Sequence, residues 1–260
     1  IIMIFDPADL ISWLVQFILP FFRIGAFLMV VPVFGNQLVA VRVRLLLALS
    51  SAVLIFPLLP TLPVIDPLSL AMFFLIVEQL MIGAVLGFLV QLFFHIFVLA
   101  GQMVAMQMGL GFASMVDPTN GVSVAVVSQF YVLLVTLLFL SFNGHLVVFE
   151  VMIEGFTLLP IGGGTVHQSA IYSLAAAGGW MFSSALLLAL PAVTAILIVN
   201  FAFGVMTRAA PQLNIFSLGF PFTLLFGIFI LWVALAGFLP QYEQLSKEVF
   251  ILLNQLLRMA

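Results

Sequence analysis

The chain has 260 residues, of which 65% are hydrophobic and 6% charged, whereas an ordinary soluble domain carries about 25% charged residues. So few charges cannot coat a globule of this size, so its apolar exterior must meet lipid or other apolar protein. A net charge of −3 gives no basic footprint for nucleic acid, and the lack of cysteine excludes disulfides, a thiolate nucleophile and any Cys-based metal site.

The opening stretch holds Asp6 and Asp9 and no base, which makes it a poor cleavable signal peptide. About 20 mostly apolar residues are needed to cross the hydrocarbon core, and six stretches qualify or nearly do. The first is Leu10–Val33, carrying Pro20, Arg23 and Pro32. The second, Leu45–Leu62, follows the basic pair Arg42 and Arg44. The third, Leu68–Ala100, is longer than one crossing requires and contains Glu78 and the small-residue pair Gly83 and Gly87, a spacing that permits close helix approach. The fourth is Val122–Phe142, the fifth Tyr172–Met206 and the sixth Ile215–Leu239. The piece Leu146–Leu159 holds Glu150 and Glu154 and reads as too short and too acidic for a seventh span. In Gln241–Ala260, Leu245, Val249, Leu252, Leu253, Leu256 and Leu257 recur at helical spacing, which predicts an amphipathic helix. The expected fold is an all-α membrane protein: about six long hydrophobic helices plus this tail, in one domain.

The basic residues set the expected orientation. Arg42 and Arg44, and Arg208 between the fifth and sixth spans, place those loops in the cytoplasm, with both termini and segment 143–171 outside and segment 101–121 inside. Pro191 is expected to interrupt the fifth span. Pro211 and Gln212 turn a helical hairpin, and Pro221 sits early in its second arm.

Arg23 and Glu78 lie inside apolar runs, where an ionisable group costs a few kcal/mol unless it is paired or wet. They are functional candidates, and a buried pair is the plainer alternative. The most unusual stretch is 101–121. Met106, Gln107, Met108, Gly109, Leu110, Gly111, Phe112, Ala113, Ser114, Met115, Val116 and Asp117 run into Pro118 and a strong turn signal. A helix should end here and an irregular apolar loop begin. Such backbone is tolerated at membrane depth only where protein buries it or a cavity abuts it. Methionine is unbranched and adaptable, so the loop reads either as a pliable pore plug or as a re-entrant structural loop with Met as filler. His95, His145 and His167 are widely separated, and no catalytic, phosphate-binding or metal-ligand spacing is visible. A small-molecule transporter and an intramembrane enzyme remain as competing classes. The first lacks matched halves; the second lacks a His/Asp/Glu or Ser/Lys cluster.

Four stretches in order carry a resemblance: Gln107–Pro118, Ser141–His145, Leu159–Gly162, and Ala210–Phe216 with Gly219–Pro221 after it. Together they resemble the FliR family of type III secretion export-gate proteins, in its flagellar branch, over essentially the whole chain. That resemblance implies a single copy assembled with several FliP and FliQ subunits. The assembly would sit in the bacterial inner membrane at the flagellar basal body, with FlhA and FlhB as further partners. Unfolded flagellar proteins would be the cargo; no cofactor and no chemistry of the chain's own are implied. It also implies a FliP-like part over about residues 1–170 and a FliQ-like hairpin over about 175–260. The loop from Met106 to about Val122 would plug the closed pore. Pro191 would mark a bend, and Arg208 a cytoplasmic tip near FlhB. The long helices need not be membrane-normal crossings.

Overall fold

A computed structural model describes residues 7–36, 39–59, 66, 68–110, 125–162, 168–209 and 215–259. Every regular element among them is helical. In chain order they are α1 (Pro7–Val30), the single turn α2 (Pro32–Gly35), α3 (Val41–Ile55), α4 (Leu70–Gln107), α5 (Val126–Ser141), α6 (Gly144–Leu158), α7 (Gln168–Ala209), α8 (Ile215–Ala234) and α9 (Phe238–Met259). A short 3-10 turn extends α3 at Phe56–Leu58, and another joins α8 to α9 at Leu235–Gly237.

Among the described residues, four helical stretches are long and apolar enough to cross a membrane: Val41–Leu58, Leu70–Gln107, Ser169–Ala209 and Gly219–Arg258. A fifth arises if α5 and α6 count as one broken span. The first expected span falls on α1, a helix of 24 residues. The six-span expectation changes in two places. The fourth span, expected over Val122–Phe142, is helical over Val126–Ser141, and Asn143, in a left-handed conformation (φ 56°), starts α6 afresh. The last span and the amphipathic tail form a nearly continuous helical run rather than separate pieces.

Local sequence explains other features. The piece Leu146–Leu159, too short for a span of its own, forms most of the 15-residue α6, and Glu150 and Glu154 fall on its exposed side. Val148, Val151, Met152, Gly155 and Phe156 fill the buried one. Arg42 and Arg44 lie in the first turn of α3 rather than in a loop, and Arg44 Nη2 turns back to donate to the carbonyls of Asn36 (2.6 Å) and Val39 (2.8 Å). Pro191 does not break its helix: α7 runs unbroken for 42 residues. A proline removes one backbone donor, here the one that would serve the Leu187 carbonyl; the Thr194 hydroxyl donates to the carbonyls of Leu190 (2.7 Å) and Pro191 (3.0 Å).

The chain divides into two compact units. The first comprises Ile1–Leu92, Asn143–Ala177 and Val249–Ala260. Its core holds Leu19, Ile24, Phe27 and Leu28 of α1, Ile82, Leu86 and Leu89 of α4, Met152 and Phe156 of α6, and Leu253 and Leu257 of α9, all buried. Phe149 meets Phe27 and Phe34 edge-on, with centroids 6.5 and 5.6 Å apart. The second unit comprises Phe93–Phe142 and Gly178–Glu248. An aromatic cluster anchors it: Phe93 on Tyr242 (5.7 Å), Phe97 on Phe238 (5.5 Å), Tyr131 on Phe238 (5.3 Å) and Phe94 on Phe139 (5.4 Å). Each such ring pair adds about 1 kcal/mol beyond the area it buries. The apolar face predicted for the tail is present: Leu245, Val249, Leu253, Leu256 and Leu257 are buried, and Leu252 is half-buried.

Candidate functional site

Two polar anchors in apolar surroundings stand out. In the first unit, Arg23 is completely buried. Its Nε donates to Gln79 Oε1 (2.7 Å), Nη1 to the carbonyl of Gly155 (3.0 Å) and Nη2 to that of Leu159 (2.9 Å). The guanidinium carbon lies 4.4 Å from the centroid of the Phe156 ring. Gly155 and Leu159 bracket the C-terminal end of α6, where the helix dipole is negative; the Gly155 carbonyl also accepts from Leu159 N–H (3.0 Å). A cation with a rigid fork of donors suits that end well. Glu78, the partner considered from the sequence, is half-buried, and the hydrogen bond goes to Gln79 next to it. Along a helix, consecutive residues point about 100° apart, so a shift of one position changes which side chain meets α1. Arg23 is thus tied to α4 and α6 by neutral acceptors. The Nε2 of Gln79 is buried with no hydrogen-bond partner.

Gly83 and Gly87 make this approach possible. A Cβ on Gly83 would overlap the carbonyl oxygen of Arg23, and one on Gly87 would stand 2.9 Å from Val30 Cβ. The small-residue face of α4 therefore receives α1, a partner that the spacing alone did not name.

In the second unit, the root of the Gly/Met stretch is held from three sides. Helix α4 ends in a Schellman turn: Leu110 N–H donates to Ala105 O (3.0 Å), Gly109 N–H to Met106 O (3.1 Å), and Gly109 takes φ 84°. That backbone conformation is open to glycine at little cost. The Asn200 side chain of α7 donates to the carbonyl of Gln107, the last residue of α4 (3.2 Å). Met108 is buried, and its Cε and Sδ occupy the space where a Cβ on Gly227 of α8 would stand, 2.7 and 2.9 Å from it. The Phe220 ring covers Gly109. Met106 is exposed, and Gln107 half-buried.

Gly111, Phe112, Ala113, Ser114, Met115, Val116 and Asp117 lie outside the described residues, as do Pro211 and Gln212. Arg208 is exposed in the last turn of α7, where a cation complements the dipole. Pro221 lies inside α8, and the rings of Phe203 and Phe222 (5.0 Å) join the two arms of the predicted hairpin. Sequence reasoning missed Gln79, Asn200 and Gly227. Each looks ordinary in its own helix and gains meaning only from the helix opposite.

The model of bacterial export proteins, family 1, matches residues 14–249 of this chain. Among curated proteins, one called flagellar biosynthetic protein FliR from Pectobacterium carotovorum subsp. carotovorum is 40% identical over 255 residues, covering 97% of both chains. The Escherichia coli K12 protein of the same name is 37% identical over 249 residues, 95% of this chain and 94% of its own. The Bacillus subtilis protein of that name is 26% identical over 226 residues, 85% of this chain and 86% of its own.

Proposed function

The chain belongs to the bacterial export proteins of family 1, and from that membership we propose that it is a membrane subunit of the flagellar protein-export apparatus. With FliP and FliQ it builds the pore through which unfolded flagellar subunits leave the cell, in the inner membrane at the basal body. FlhA and FlhB are its neighbours, and Arg208 sits at the cytoplasmic tip of the α7–α8 hairpin. Residues of about 1–170 correspond to a FliP-like part and about 175–260 to a FliQ-like part. The observation that carries the reading is near-full-length identity to relatives named flagellar biosynthetic protein FliR.

In this reading the stretch Met106–Asp117 plugs the closed channel. Three features support it. Asp117 is the single charge between Gly101 and Gly121, so the stretch can exclude water and ions. Methionine adapts to irregular surfaces. The root at Met108–Gly109 is fixed against Phe220 and Gly227, so displacement can be confined to the residues beyond Gly109. The chain contributes an apolar seal and a scaffold rather than a reaction.

Affinity purification from the native membrane, with intact-mass determination, tests the assembly. Several copies of two small hydrophobic partners should co-purify, whereas a lone monomer or homodimer would overturn the subunit assignment. For the plug, deleting Gly109–Ala113 should make cells leak small ions; unchanged permeability in an assembled complex would exclude it.

A further inference from the structure

A cleft of about 190 Å³ opens in the second unit between α7 and α9, lined by Ser184, Leu187, Leu188, Gln241, Gln244 and Glu248, with Leu245 at its side. Positions 184, 187 and 188 share one face of α7, and 241, 244 and 248 share one face of α9. The carboxylate of Glu248 is held in place: Trp180 Nε1 donates to Oε2 (2.8 Å) and Gln244 Nε2 to Oε1 (3.0 Å). Both donors are neutral. Among the described residues no cation pairs with this carboxylate. Lys247 is exposed and, being adjacent in the helix, points about 100° away.

The surroundings make an unpaired carboxylate costly. Leu186, Leu187 and Leu190 of α7 and Leu239 of α9 are all exposed apolar side chains, a surface that lipid or another apolar helix must cover. An ionised group in such a setting is retained where it meets a partner charge. One further acceptor belongs to the cleft wall. Pro191, four residues after Leu187, deprives the Leu187 carbonyl of its usual helical donor. The cleft is thus rich in acceptors, negative, and large enough for the end of one long side chain.

We propose that this cleft receives a lysine or arginine side chain from an apolar helix of a neighbouring subunit, with Glu248 as the counter-ion and Trp180 and Gln244 holding its orientation. Charge complementarity commits the occupant to a cation, and the flanking leucines commit its carrier to an apolar helix. The inference rests on the reading of this chain as one subunit of a helical assembly, and adds the chemistry of one contact.

The test uses the assembled complex. A photo-reactive benzoylphenylalanine at Leu187 should cross-link to a partner peptide bearing Lys or Arg within one helical turn of the cross-linked residue. In parallel, Glu248→Gln keeps the size of the side chain and an acceptor for Trp180, so the fold is preserved while the charge is lost. Retention of that partner through a detergent wash should fall about tenfold or more. Trp180→Phe, which keeps the charge and loosens its aim, should have a smaller effect. Cross-links to phosphatidylethanolamine alone, or to partner peptides without a base nearby, would overturn the proposal. So would undiminished retention in Glu248→Gln. If the wild-type complex itself fails to form, the subunit reading fails instead, which separates the two outcomes.

Discussion

The helices α4 and α7 are the two longest in the chain and comparably apolar, yet they are used in opposite ways. In the most apolar 18-residue stretch of α4, 61% of residues are buried within the chain, against 17% for that of α7. Their glycines differ in the same sense. Those of α4 at positions 83, 87 and 101 each meet a neighbour where a side chain would begin, whereas Gly178, Gly179 and Gly204 of α7 look onto open space. Hydropathy cannot separate the two cases, because it measures how strongly a helix avoids water and not what replaces the water. One helix is largely covered by its own chain; the other leaves its apolar face uncovered.

Substitutions in the two helices probe this contrast directly. The largest effect is expected for Gly83→Leu, which drives a side chain into the backbone of α1 and should cost about 5 kcal/mol. The chain should then fail to accumulate in membranes, as read by immunoblot. Next comes Arg23→Met, which takes the donor from Gln79 and from the Leu159 carbonyl and a second donor from Gly155, at a cost of about 3–4 kcal/mol. Lysine should rescue it poorly, because a point charge cannot serve three separated acceptors; thermal-shift measurements in detergent would read both. Leu89→Ala in α4 should cost about 3 kcal/mol through the cavity it leaves. The same change at exposed Leu197 of α7 should alter the stability of the isolated chain by less than about 0.5 kcal/mol while weakening partner retention. A small effect of opposite sign belongs to Gly204→Ala. In open helix it should stabilise by about 0.5–1 kcal/mol; a large loss there would mean that the residue is enclosed in the assembly.

The apolar runs, the amphipathic tail, the small-residue face of α4 and the end of α4 near Gly109 were legible in the sequence, because each depends on periodicity or on one residue's backbone freedom. The break at Asn143 was visible only as a turn signal at a span end. Leu146–Leu159 was read as too short for a span of its own, and it forms most of a 15-residue helix. Pro191 was read as an interruption, but α7 runs straight through it and gives up only the donor to the Leu187 carbonyl. The partner of Arg23 lay one residue from the expected one. Nothing within α4 distinguishes Glu78 from Gln79 until α1 is laid against it. Inter-helix geometry of this kind is a property of pairs, and a single chain read in order presents its helices one at a time.

Arg23 also imposes an order of events on biogenesis. Its acceptors at Gly155 and Leu159 are 132 and 136 residues further along the chain. At the roughly 5–20 residues per second of protein synthesis, the guanidinium emerges on the order of ten seconds before the helix end that neutralises its demand for acceptors. Through that interval a lone arginine in an apolar segment must be sheltered by water, lipid phosphate or the insertion machinery. The first helix can take its final depth only when the sixth arrives to claim it.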